Sequence, residues 1–74
     1  MSNEYEKFQK FIREDMIKQW KDIKLSYIVS KHNIDLVLSR DSSLTIQKLI
    51  EDFQKNPLVK EVIIDRDHIV IFPK

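Results

Sequence analysis

The sequence contains no cysteine, no glycine and no alanine. Without cysteine the chain has neither disulfides nor thiolate metal ligands, and His32 and His68 are too few nitrogen ligands for a typical structural zinc site. Without glycine it has no glycine-rich phosphate loop, dinucleotide fingerprint or nucleophile elbow. These absences favour a protein that is not an enzyme and that carries no metal or other cofactor.

Long apolar runs are also missing, since none approaches the roughly 18 residues of a membrane-spanning helix. The N-terminal residues Met1 to Glu4 are polar and acidic, unlike the start of a secretory signal. We therefore expect a cytoplasmic protein, in the producing cell or in an infected one, without a membrane partner.

The amino-acid composition indicates the type of genome that encodes the protein. Isoleucine and lysine are abundant, and lysine far outnumbers arginine. Because glycine, alanine and most arginine codons are GC-rich, this usage predicts an AT-rich genome. Phages, archaeal viruses, plasmids and AT-rich bacteria all fit it.

The length of 74 residues predicts one domain, 1–74. A domain of this size buries only about 60% of the surface that its unfolded chain exposes. Small domains usually add disulfides, a metal or a second subunit, and here association is the most available of the three. The net charge of +1 provides no general attraction to nucleic acid or membranes.

Two segments have helical periodicity. In residues 4–22 apolar side chains recur every three or four positions, and Phe11 and Ile17 widen the stripe at its two edges. A second helix is predicted over 44–55, capped by Ser43 or Thr45 and stopped at Asn56, which tolerates the left-handed conformation.

The remaining segments predict strands. Residues 25–29 and 34–38 are rich in β-branched and aromatic side chains and read as a hairpin around the turn 30–33. The alternative extends the first helix through Val29, because Tyr27 continues its stripe. Residues 59–64 and 69–72 predict a second hairpin, with a turn at 65–68.

The predicted fold class is therefore α+β, in the order α-β-β-α-β-β. Two helices would pack on one face of a four-stranded, mostly antiparallel sheet. This order equals a circularly permuted ferredoxin-like fold, an analogy of shape that carries no function.

The predicted strands are continuously apolar instead of alternating, as in 62–64 and 69–72. Side chains alternate between the faces of a sheet, so both faces are expected to be apolar, and the helices can cover only one. The second face is predicted to be a protein interface, and closed homo-oligomers are the commonest outcome. Its residues are predicted to be Ile28, Val37, Ile63 and either Val70 or the pair Ile69 and Ile71.

The first helix carries a second candidate surface. Its polar face holds the cations Lys7, Lys10, Arg13, Lys18 and Lys21, which are suited to phosphate contacts. Glu6 and Glu14 interrupt this face, so a solvated charged surface is the competing interpretation.

Other polar residues are explained by local structure. Asp65, Asp67 and His68 resemble ligands for a divalent cation, but residues of these types at a hairpin tip usually form turn hydrogen bonds. Asp35 fits an exposed strand position. No small-molecule substrate is evident.

Residues 34–36 followed by 44–56 resemble the strand-loop-helix segment in the cytoplasmic domains of cation-diffusion transporters. The resemblance covers about a third of the chain. Those domains have a metal-linked histidine in that helix, and this helix has none.

Together these features predict a small interaction module that forms a homodimer or binds a larger protein. An accessory protein of a virus, phage or plasmid fits this description. The alternative is a nucleic-acid-binding dimer that uses the first helix.

Overall fold

The first helix, α1, spans Asn3–Asp22 in the computed structural model, which describes residues 3–74. Met1 and Ser2, part of the stretch considered for a targeting signal, lie outside it. The predicted apolar stripe is confirmed: Tyr5, Ile12, Met16 and Trp20 are buried. The alternative that extends α1 through Val29 is wrong, because the helix ends at Asp22.

The segment after α1 is held against the end of the helix. The Trp20 indole Nε1 donates to the carbonyl oxygen of Leu25 at 2.8 Å, and Gln19 Nε2 donates to the same oxygen at 3.0 Å. Leu25 lies beyond the end of α1, and these bonds supply hydrogen-bond donors to its carbonyl oxygen. They hold the chain just before it enters β1, Tyr27–Val29.

The predicted strand at 34–38 is wrong. Lys31–Arg40 forms a helix, α2, and Ser30 is its N-cap, accepting a hydrogen bond from the Asn33 amide at 3.3 Å. Ile34 and Val37 point into the core from successive turns of α2. A short, mainly apolar run such as 34–38 cannot be assigned to a strand or to a helix from its length and composition alone. The strand portion of the resemblance to cation-diffusion transporters is therefore not present.

Helix α3 spans Ile46–Gln54, inside the predicted range. Thr45, one of the two predicted caps, accepts from the Lys48 amide at 3.2 Å. Asn56 does not take the left-handed conformation, since only Arg66 has a positive φ between residues 3 and 74. Instead, its side-chain oxygen accepts from the Leu58 amide at 2.9 Å and turns the chain toward β2.

The predicted second hairpin is confirmed as β2, Val59–Asp65, and β3, His68–Pro73. The sheet has three antiparallel strands in the order β1-β3-β2, so β3 is central. The buried strand residues, which include Val29, Val62, Ile69 and Ile71, join the buried residues of the helices in one core. The α+β class is thus confirmed, while the fourth strand and the permuted ferredoxin-like arrangement are not.

The tight turn of this hairpin contains a non-glycine residue with a positive φ. Arg66 has φ 58°, which costs a residue with a Cβ about 1–2 kcal/mol, and the usual residue there is glycine. Since glycine also loses more backbone entropy on folding, we expect Arg66→Gly to raise the free energy of unfolding by about 0.5–1 kcal/mol. Urea titration measures the change. Asp67→Gly, a neighbouring position without positive φ, is the control and should lower stability.

Candidate protein-interaction face

The face of the sheet opposite the helices carries a row of apolar side chains. Ile28 of β1 lies opposite Val70 of β3, and Val70 lies opposite Ile63 of β2. Opposite residues in an antiparallel sheet project from the same face, so the row crosses the full width of the sheet. Phe72, two positions along β3 from Val70, projects from the same side. We call this surface, Ile28, Ile63, Val70 and Phe72, the open face.

Its exposure is uneven. Ile28 is 57% exposed and Ile63 is 40% exposed, while Val70 and Phe72 are half-buried between their neighbours on the sheet. No part of the chain between residues 3 and 74 packs over the row, because every buried strand residue belongs to the helix-facing core. The open face is therefore an apolar strip that meets solvent.

Only some of the predicted interface residues lie on the open face. Ile28 and Ile63 lie on the open face, as predicted. Val37 lies in α2 and is 4% exposed, because residues 31–40 are helical. Ile69 and Ile71 face the helices and are buried, so of the two alternatives for β3 the structure selects Val70.

Polar groups border the open face at both ends. At the hairpin end, Asp65, Arg66 and His68 line a depression of about 350 Å³ with Ile28 and Val70. At the opposite end, Phe72 lies in a depression of about 460 Å³ that is flanked by Lys24, Lys60 and Glu61, and Glu61 lies directly opposite Phe72 in the sheet. An apolar centre with a polar rim is the usual anatomy of a protein interface.

The predicted interface omits Phe72, although its position two residues from Val70 places it on the same face of the strand. Ile64 is half exposed but does not belong to the open face, since it lies opposite the buried Ile69 on the helix side of the sheet.

Four of the five cations of α1 share one solvent-facing stripe, since Lys7, Lys10, Lys18 and Lys21 recur at i, i+3, i+11 and i+14. All five are exposed, and within residues 3–74 none forms an ion pair. Lys7 borders the gap between α1 and α2, whereas Lys10 and Arg13 border the gap between α1 and α3. Lys18 and Lys21 lie further along the helix. The predicted lysine face is thus present, with Arg13 at its margin, and Glu14 interrupts it.

The structure places Asp35 on α2 and places Asp65, Asp67 and His68 at the hairpin tip. Asp35 is exposed on α2 and pairs with Lys31 at 3.4 Å. Over the described part of the chain, no three His, Asp or Glu side chains come together in a way that would hold a metal ion.

A buried hydrogen bond joins α1 to α3. The Tyr5 hydroxyl donates to Asp52 Oδ2, and Gln9 Nε2 donates to the Tyr5 oxygen at 2.9 Å. Burial and this bond raise the pKa of Tyr5 well above its ordinary value. Burial also opposes ionisation of Asp52, but the bond from Tyr5 and the nearby Lys48 outweigh it and lower the pKa of that carboxyl.

These shifts predict how stability depends on pH. Because the pKa of Tyr5 is higher in the folded state, its contribution is complete below about pH 10 and is lost as the pH rises above that value. We expect Tyr5→Phe to lower the free energy of unfolding by about 1–2 kcal/mol at pH 7, and the difference from wild type to narrow between pH 10 and 11.5. Urea titrations across this range measure it; a constant difference would contradict the assignment.

Between residues 3 and 74 no helix combines the length and the hydropathy that crossing a bilayer requires. Comparisons with protein-family models, with curated proteins and with solved structures find no match for this chain. Its function must therefore be inferred from its own residues.

Proposed function

We propose that this protein is a non-enzymatic interaction module that forms a homodimer through the open face. One observation carries the proposal: Ile28, Val70 and Ile63 stand in a single cross-strand row on the face that no helix covers. Burying apolar surface is favourable by roughly 25 cal/mol per Å², so a partner that covers this row gains free energy from water exclusion alone.

A second copy is the occupant that fits the row best. The row carries no charge, and a two-fold axis along it brings each apolar side chain against a neighbour of the same kind. The polar residues at the two ends of the strands then meet at the rim, where they remain hydrated. Most soluble oligomers are closed assemblies of this type.

The size of the face sets the expected affinity. Three strands spaced about 4.8 Å apart and six residues rising about 3.4 Å each give a footprint of roughly 14 by 20 Å. The area of this footprint is well below the roughly 800 Å² per partner of a standard interface. Interfaces of this size belong to weak, transient complexes, so we expect exchange between monomer and dimer.

The titratable groups favour binding over catalysis. The residues with shifted pKa values are Tyr5, Tyr27 and Asp52. Tyr5 and Asp52 bond to each other, and Tyr27 bonds to Asp15, so each holds structural elements together.

The carboxylate within the lysine stripe of α1 argues against the nucleic-acid alternative. A surface that follows a phosphate backbone needs a continuous row of cations. Here Glu14 lies between Lys10 and Lys18 on the same face of the helix, and the net charge of the chain is only +1.

Sedimentation velocity between 5 and 500 µM tests the proposal. We expect the weight-average mass to rise from monomer toward dimer over this range. Because the row is apolar, raising NaCl from 0.05 to 0.5 M should leave the association unchanged or strengthen it. A monomer throughout, or an association that disappears in high salt, would contradict an apolar dimer.

A further inference from the structure

A second surface lies between α1 and α3, away from the open face. Two depressions of about 420 and 530 Å³ adjoin there and share the walls formed by Gln9, Arg13, Asp52 and Lys55. They form one channel along the joint between the helices, which we call the α1–α3 groove. One end of the groove is lined mainly by apolar side chains and the other mainly by charged ones.

One end is apolar. Ile17 of α1 and Leu58, which follows α3, are 47% and 46% exposed on its two walls. Pro57 lines the same end, and the buried Phe53 lies at its base. This is enough apolar surface to accept the side chain of a leucine or phenylalanine from a partner.

The other end is cationic. Lys10, Arg13 and Lys55 line it together with two carboxylates, Glu6 and Asp52. Asp52 is already engaged: its Oδ2 accepts from Tyr5, and its Oδ1 lies 3.2 Å from Lys48 Nζ and 3.6 Å from Lys55 Nζ. In the chain from residue 3 onward, Lys10, Arg13 and Glu6 have no ion-pair partner.

The spacing on α1 sets the length of the occupant. Lys10, Arg13 and Ile17 lie at i, i+3 and i+7, on one flank of the helix. With a rise of 1.5 Å per residue they cover about 10 Å. A partner needs about two helical turns to contact the cationic and the apolar end together.

We propose that the α1–α3 groove binds an acidic, amphipathic segment of a partner protein. Carboxylates of the segment pair with Lys10 and Arg13, and its apolar side chain packs between Ile17 and Leu58. Charge complementarity selects this occupant, because the two unpaired cations of the groove outnumber its one unpaired carboxylate, Glu6, and its free wall is apolar. The groove does not share residues with the open face, so the dimer and the partner can be bound together.

Selection of random 12-residue peptides on the full chain tests this inference. We expect the enriched peptides to combine aspartate or glutamate with leucine or phenylalanine. Arg13→Glu should weaken their binding at least tenfold, as measured by fluorescence anisotropy, and so should Ile17→Ser. Raising NaCl from 0.05 to 0.5 M should weaken it as well.

Two controls separate the possible outcomes. Lys21→Glu reverses a cation of α1 outside the groove and should leave peptide affinity within twofold. Val70→Lys removes the apolar row of the open face and should also leave it unchanged, so the groove can be tested whether or not the chain dimerises. The inference is overturned if no peptide is enriched, if the enriched peptides are basic, or if Arg13→Glu binds them as wild type does. Circular dichroism verifies that each variant is folded.

Discussion

Val37→Lys should unfold the protein at 25 °C, whereas Leu36→Lys should leave it folded. Val37 is 4% exposed on the core side of α2, and its neighbour Leu36 is 41% exposed on the same helix. Placing an unpaired ammonium group at Val37 costs several kcal/mol. A 74-residue domain has a total stability of only about 4–11 kcal/mol, so one such substitution removes most or all of it.

Circular dichroism melts and amide proton dispersion distinguish the two variants. We expect a lost or strongly lowered melting transition for Val37→Lys and a change within about 0.5 kcal/mol for Leu36→Lys. The pair is matched, because both substitutions place the same residue on adjacent positions of one helix. A folded Val37→Lys protein with a transition near wild type would mean that residues 31–40 do not pack as α2 on the core.

The second large effect is expected at the open face. Val70→Lys places a cation at the middle of the apolar row, on the central strand. In a dimer the two introduced ammonium groups would face each other without water, so we expect the dimer dissociation constant to rise at least 100-fold, equivalent to about 2.7 kcal/mol. Folding should be little affected, since the aliphatic part of lysine can cover neighbouring apolar surface.

Sedimentation velocity at 500 µM provides the readout, and Leu36→Lys again serves as the control. It removes an exposed apolar side chain elsewhere on the molecule and should dimerise like wild type. If Val70→Lys associates as strongly as wild type, the open face is not the dimer interface. If Leu36→Lys also dissociates, the association depends on general surface hydrophobicity.

The elements that sequence patterns predicted correctly are those with one consistent periodicity. Helix α1 keeps its apolar stripe over 20 residues, and the hairpin of β2 and β3 joins two β-branched runs. In contrast, the segment from Ile34 to Leu38 satisfies both a strand and a helix pattern. The side chain of Ser30 caps α2, but serine is just as frequent in turns, so this residue does not distinguish the two patterns in the sequence.

The open face could be predicted only in part. Continuous apolar strands correctly indicated that the sheet would be apolar on both faces. They left open which residues of β3 point outward, because Ile69, Val70 and Ile71 are all apolar. The choice depends on where α1, α2 and α3 pack, which is a tertiary property. The α1–α3 groove was not predicted, since its walls come from segments about 40 residues apart.

The order of the strands has a consequence for synthesis on the ribosome. β1 and β2 do not pair with each other, and each depends on β3 for its ladder. Tyr27 can therefore pair with Ile71 only after the 43 residues between them have been synthesised. In contrast, the Arg66-Asp67 turn brings β2 and β3 together as soon as both strands are available. A nascent chain stalled before residue 68 exposes two unpaired strands, and we expect it to recruit chaperones until the central strand emerges.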